Sequence, residues 1–251
     1  MLPQLFLYIC RIMIKDAVRG VIMKYTLLID VTLLAVNTTL IDENEVSSQQ
    51  TFAYSQTTKN VIAEQIMTTV ITAIKQVQTV LNESDCIETI TFTEMTVDSL
   101  IPFNEQKKSL MPVKYGYETQ KYIDALVMNG VIGQLERKTG LIFQEVTPLM
   151  QILWLKNEQP AIFTDATQYM NVQSYIMYRL FDLYVTSPAA AGRTGFYNLT
   201  TQTWDAQALA LSGLKEQMLP QVIDFQTRSF ILMPEMCTYL GIDEDTIFHV
   251  N

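Results

Sequence analysis

Hydrophobic order begins at Lys24. Residues 25–31 (YTLLIDV) form an apolar run ending in one acid, the pattern of a strand buried on both faces. The run 33–41 (LLAVNTTLI) reads as a second strand, and DEN at 42–44 signals the turn after it. TFAYS at 51–55 alternates and predicts a third strand, completing an antiparallel meander. Ile62, Ile66, Val70, Ile74, Val77 and Leu81 recur at spacings of four and three, which predicts one long helix with a single stripe against the sheet. Many residues of this segment are β-branched, so packing more than propensity must hold the helix. IETITFT (87–93) reads as a buried strand and SLIPFN (99–104) as another. The second half is mainly helical. Tyr122, Ile123, Leu126 and Val127 mark one helix; Leu149, Ile152, Leu153 and Leu155 mark another, with Pro148 suited to its first turn. Tyr175, Ile176 and Leu180 mark a third, and Asp205 is placed to cap AQALAL. No repeat or linker divides the chain, so the pattern predicts one α/β unit over 24–251, behind an N-terminal extension at 1–23.

Composition narrows the function classes. Of 251 residues, 49% are apolar and only 17% charged, which excludes a disordered or coiled-coil chain. Lys and Arg total 17 against 26 acids, a net charge of −9, so neither a nucleic-acid backbone nor an anionic membrane surface is an expected partner. The apolar stretch 2–14 carries Arg11 and falls short of the roughly 20 residues a spanning helix needs. It also lacks a secretory cleavage pattern, so Met23-Lys24 reads as the natural beginning. Cys10, Cys86 and Cys237 are far apart and odd in number, which favours a reducing, cytoplasmic setting over a disulfide framework or zinc site. His249 is the single histidine, which excludes Ser-His and Cys-His nucleophiles and H-E-x-x-H metal sites.

In this context YTLLIDVTLLAVNTTLIDEN resembles the opening of the FGGY carbohydrate kinases, where a strand ends in D-I-G-T-T and returns through a hairpin to a D-E-N-G turn. ITFT followed by DSLIPFNEQKKSLMPV, then TPLMQILWLKNEQPAIF, the Tyr175–Tyr184 helix end, TGFYNLTTQTWD, LPQV and YLGIDEDTIF continue in that family's order and spacing. The gluconokinase branch is the nearest, and the resemblance covers nearly all of 24–250. It implies an actin-like, ribonuclease-H-like domain with a mixed β-sheet and flanking helices. It also implies transfer of the γ-phosphoryl group of ATP, with Mg²⁺, to a hydroxyl of a sugar or sugar acid such as gluconate. The family works in a cleft between two such domains, and this chain corresponds to the first, sugar-binding one.

The same resemblance assigns candidate residues. Asp30 stands at the magnesium-side acid, Thr32 at the following glycine, Leu33 and Leu34 at two small hydroxyl residues, and Asn37 at the loop's Lys or Arg. A phosphate cradle needs exposed backbone N–H groups at close approach, which glycine permits and leucine obstructs. On the sugar side, Gly116, Glu118 and Gln120 stand where T-W-x-D-x-R has Trp, Asp and Arg, and a sugar-acid carboxylate wants that guanidinium. Val97 or Asp98 takes the place of the His of M-H-S-L, Gln151 that of a Lys, and Thr194-Gly195 persist. Asp245-Thr246-Ile247-Phe248 is followed by His249-Val250-Asn251 where the family continues to a general-base Asp, so this polypeptide alone is expected not to turn over ATP. Each signal has a plainer reading: Asp30 as a strand-end turn acid, Glu118 as a solvated helix acid, Trp154 as core. The second functional reading is a non-catalytic interaction or sugar-binding module that forms a homodimer or pairs with a separately encoded second half.

Overall fold

The computed structural model describes residues 23–43, 45–54, 61–82, 84–95, 99–113 and 117–250. The apolar stretch 2–14 and positions Val97, Asp98 and Gly116 lie outside them.

The first apolar run forms β1 (Lys24–Val31), and it hairpins into β2 (Ala35–Asp42) and β3 (Glu45–Ala53) with antiparallel register throughout. Two bounds differ from the sequence pattern. Leu33 and Leu34 belong to a turn rather than to β2, and β3 starts six residues before the alternating TFAYS. The first half of β3, EVSSQQ, carries little hydrophobic signal because β3 is an edge strand wetted on both sides. The stripe helix is α1 (Ala63–Gln78), with Ile66, Val70, Ile74 and Val77 buried. Ile62 and Leu81 fall just outside it; Ile62 is the extended N-cap residue.

β4 (Cys86–Met95) returns parallel to β1. β5 (Ile101–Phe103) leaves the main sheet, and the chain continues through α2 (Gln120–Met128), α3 (Ile132–Thr139), α4 (Pro148–Glu158) and α5 (Pro160–Asp165). β6 (Gln168–Met170) pairs with β5, and α6 (Val172–Phe181) follows. Next come β7 (Val185–Thr186), α7 (Pro188–Gly192), β8 (Tyr197–Asn198), β9 (Thr203–Trp204), α8 (Ala206–Ser212), β10 (Gln221–Val222) and α9 (Pro234–Leu240). β11 (Ile247–Val250) closes the main sheet beside β4, giving the order β11-β4-β1-β2-β3. The fold is thus a mixed sheet with flanking helices, as the resemblance implies.

The buried face of the sheet alternates as a half-covered strand set does. Leu27, Ile29 and Val31 are buried against α1, α6 and α9, whereas Thr26, Leu28 and Asp30 on the other face are half-buried. The expectation of burial on both faces is therefore corrected: the second face carries Thr39, Thr89, Thr91 and Thr93, a β-branched surface that tolerates water. A second apolar cluster gathers α4, α2, α3 and α8 around Leu149, Ile152, Leu126, Leu135 and Phe196. Trp154 borders this cluster half-buried, its ring 4.8 Å from that of Tyr117.

Two tyrosines, Tyr169 within this cluster and Tyr184 against the first, predict opposite effects. The Tyr169 ring is 0% exposed, and its hydroxyl has no hydrogen-bond partner among the described residues. The Tyr184 hydroxyl donates its one hydrogen to Met218 O at 2.6 Å, with Tyr169 O as a second, longer acceptor at 3.1 Å. Tyr169→Phe should leave stability unchanged or raise it by up to about 1 kcal/mol, because it removes an unsatisfied group. Tyr184→Phe should lower stability by about 1–2 kcal/mol. Paired urea titrations give both signs.

Candidate functional site

In an open sheet with parallel strands, ligand-binding groups collect beyond the strands' carboxyl ends. β1, β4 and β11 run parallel, so Val31, Met95 and Val250 mark one such edge. Two polar clusters meet there, and β4 connects them: Thr93 reaches the first, and Met95 lines the second.

The first cluster is the β1–β2 turn. Asp30 sits opposite Asn37 in the ladder, and its carboxylate accepts a hydrogen bond from the Thr93 hydroxyl. Asn37 Oδ1 accepts from Thr51 Oγ1 at 2.9 Å, which extends the polar row to β3. Thr32 closes the turn in an unusual way. Its N–H and its hydroxyl both donate to Ala35 O, at 3.0 and 2.9 Å. The same Oγ1 accepts from the N–H groups of Leu34, at 3.2 Å, and Ala35, at 3.1 Å. The carbonyl of Thr32, displaced from the usual turn bond, accepts from the Tyr54 hydroxyl at 2.8 Å. Burial of that phenol pushes its pKa up, so it stays a donor. None of residues 32–34 adopts the left-handed backbone that would call for glycine. Leu33 packs on the first core, while Leu34 is 79% exposed at the tip.

These residues do not fit a nucleotide phosphate. A cradle offers unpaired backbone N–H groups. Here the hydroxyl of Thr32 already occupies those of Leu34 and Ala35, and an exposed leucine stands at the approach. Asp30 remains a carboxylate that could face a cation, but no group of three or more His, Cys, Asp or Glu side chains suited to a metal occurs among the described residues.

The second cluster surrounds a small cavity of about 10 Å³, room for roughly one water molecule, lined by Ser99, Pro148, Asn171, Gln173, Arg193 and Thr194 among others. Each wall is fixed by local chemistry. Asn171 caps α6 by accepting from Ser174 N–H and Oγ, each at 2.8 Å. Gln173 Oε1 accepts from Ser187 N–H at 2.9 Å, which ties α6 to the start of α7. Thr194 Oγ1 donates to Ala191 O at 2.6 Å, and Thr194 O accepts from Leu149 N–H at 3.0 Å, docking the T-G segment on α4. Gln151 is buried behind this wall: its Oε1 accepts from Ser99 Oγ at 3.2 Å, and its Nε2 donates to Val146 O at 2.9 Å. It braces the site and does not line it.

Glu118 and Gln120 stand apart. Both are exposed at the start of α2, and Gln120 Nε2 donates to Asp124 Oδ1 at 2.8 Å. The structure thus joins Asp30, Thr32 and Asn37 in one cluster, brings Gln151 and Thr194 to the other, and leaves Glu118 and Gln120 lining neither. Asn171, Gln173 and Arg193 were not singled out from the sequence. Asn171 before the apolar VQSYI has the mark of an N-cap, and Arg193 adjoins the Thr194-Gly195 pair.

Residues 25–250 match the FGGY family of carbohydrate kinases, N-terminal domain. Among curated proteins, the chain is 33% identical over 124 residues to a gluconokinase of Bacillus licheniformis and 30% identical over 118 residues to one of Bacillus subtilis (strain 168). Those stretches cover 49% and 47% of this chain but only 24% and 23% of the relatives. Among solved structures, gluconate kinase and ligand-bound xylulose kinase from Lactobacillus acidophilus each superpose with a TM-score of 0.81 at 26% identity, over 90% of this chain and 47% of theirs. The chain therefore spans about half the length of its structural relatives. No helix among the described residues is long and apolar enough to cross a membrane. The sheet order, the run of segments from Ile29-Asp30 to Asp245-Thr246 and the match across 25–250 agree: the chain belongs to the FGGY family of carbohydrate kinases.

Proposed function

We propose that residues 24–251 are the sugar-binding lobe of a gluconate-type carbohydrate kinase, and that this polypeptide binds its sugar acid without transferring a phosphoryl group. The similarity to gluconate kinase over 90% of the chain supports the substrate class. The Thr32 turn carries the second part. Phosphoryl transfer is chiefly positioning and charge stabilisation, so a loop whose amides are occupied by its own hydroxyl, with Asn37 where a cation is expected, loses most of what it would contribute. ATP and Mg²⁺ belong to the reaction class; among the described residues of the β1–β2 hairpin turn, Asp30 is the carboxylate suited to the cation.

Titration calorimetry and a coupled ATPase assay on the purified polypeptide test both parts. Gluconate should bind at millimolar affinity or better, MgATP should give no heat, and no ADP should accumulate. Production of a gluconate phosphate by the polypeptide alone would overturn the non-catalytic part; absence of gluconate binding would overturn the substrate part.

One observation favours pairing with another chain. Leu34, 79% exposed at the carboxyl edge of the sheet, leaves a large apolar side chain uncovered in this lobe. Light scattering should then show a second copy or a separately encoded half joining this one, and only the pairing with a separately encoded nucleotide-binding half should bring MgATP binding.

A further inference from the structure

The charge beside the second cluster sits on a different residue from the one the sequence pattern suggests. Of the described residues lining the cavity, Arg193 is the single charged one; Ser99, Asn171, Gln173 and Thr194 are neutral. Two of their acceptors are already engaged within the fold, Asn171 Oδ1 by Ser174 and Gln173 Oε1 by Ser187, and the Ser99 hydroxyl is spent on Gln151 Oε1 behind the wall. Apart from Arg193, the described wall is therefore a set of fixed dipoles. Arg193 follows α7, exposed at the mouth, with one guanidinium nitrogen 3.5 Å from Ala189 O. Gln120 has no charge to offer and is bonded to Asp124 on the surface of α2.

We propose that Arg193 is the specificity-determining residue for the acid end of the substrate: its guanidinium receives the carboxylate of a sugar acid at the cavity mouth, in place of any cation at position 120. This rests on the sugar-lobe reading above and refines it, because it separates sugar acids from neutral polyols by one side chain. A planar guanidinium presents parallel N–H groups to a carboxylate, while a polyol offers it only hydroxyls. Thr194 is held by its bonds to Ala191 and Leu149, so its neighbour Arg193 springs from a fixed backbone.

The test is calorimetric titration of D-gluconate and of D-glucitol, which differs at the acid carbon alone, into the wild-type chain, Arg193→Gln and Arg193→Lys. The wild type should prefer gluconate, and added salt should weaken that preference. Arg193→Gln should weaken gluconate by about tenfold or more and leave glucitol unchanged, with Arg193→Lys between the two. Thermal melts of both variants are recorded beside the titrations, and the glucitol affinity reports whether the cavity wall is kept. Equal gluconate affinity in wild type and Arg193→Gln would overturn the assignment and leave the sugar-lobe reading standing. So would a parallel loss of both ligands, the mark of a merely structural role. A wild type that binds neither compound would overturn both.

Discussion

Gly195→Ala should cost about 2–4 kcal/mol of stability, among the largest effects of any single methyl group in this chain. Gly195 has φ of 78°, in the left-handed region that an L side chain enters at a cost of roughly 1–2 kcal/mol. A Cβ there would also meet Phe143 Cε1 at 2.9 Å, Thr147 Cγ2 at 3.1 Å and Leu149 Cβ at 3.2 Å. The phenyl edge can swing, but Leu149 Cβ is fixed to the first turn of α4, whose N–H is bonded to Thr194 O. Relief must therefore come from separating the T-G segment from α4, through the apolar cluster to which Phe143 and Leu149 belong. Gly130 is the control: its φ of 65° is similar, yet nothing lies within 4 Å of its added Cβ. Gly130→Ala should show the backbone part alone, about 1–2 kcal/mol. Urea midpoints of the two variants separate strain from crowding; equal losses would refute the crowding argument.

That glycine also shows what the chain's pattern reveals. Thr194-Gly195 was visible as a motif, but its reason, a close approach of two segments some 46 residues apart in sequence, is a tertiary fact. The elements with a strong apolar signal were plain in position: β1 and β4 as apolar runs, α1 as a stripe at spacings of four and three, and α4 and α6 as apolar helices that are buried nearly all round. β3 was half hidden because an edge strand needs no apolar alternation, and Leu33-Leu34 was misleading because two leucines look like strand while Thr32 turns the chain beneath them. The cavity was the least legible part. Ser99, Asn171 and Thr194 each serve local geometry first, as partner, cap and turn, so the sequence offers no reason to group them until β4, α6 and the segment after α7 converge.

Asp205→Ala should lower stability by about 2–3 kcal/mol, and the loss should depend on pH in a definite direction. Asp205 is buried at the start of α8, and its Oδ1 accepts from the N–H groups of Gln207 at 3.0 Å and Ala208 at 3.1 Å. Its Oδ2 accepts from Asn198 Nδ2 at 3.1 Å and lies 3.3 Å from the Lys138 ammonium. Burial opposes the charged form, but the Ala208 amide, Asn198 and Lys138 together outweigh it and hold the carboxyl below the usual range. Alanine removes the cap and leaves the buried Asn198 amide without its acceptor. Asparagine keeps an oxygen for the two helix amides but turns an NH2 group toward Asn198 Nδ2 and the Lys138 ammonium in place of the accepting Oδ2, so Asp205→Asn should cost about 1–2 kcal/mol, less than alanine because the cap is retained. A folded-state pKa below the unfolded one means the charge contributes fully above the unfolded value, about 4, and is lost as pH falls through the folded value. The stability gap between wild type and Asp205→Asn should thus be constant above about pH 5 and shrink below about pH 4. Denaturant titrations across that range decide it: a gap unchanged down to pH 3 would show that the carboxylate charge adds nothing, and equal losses for alanine and asparagine would show that the cap does not hold α8 in place.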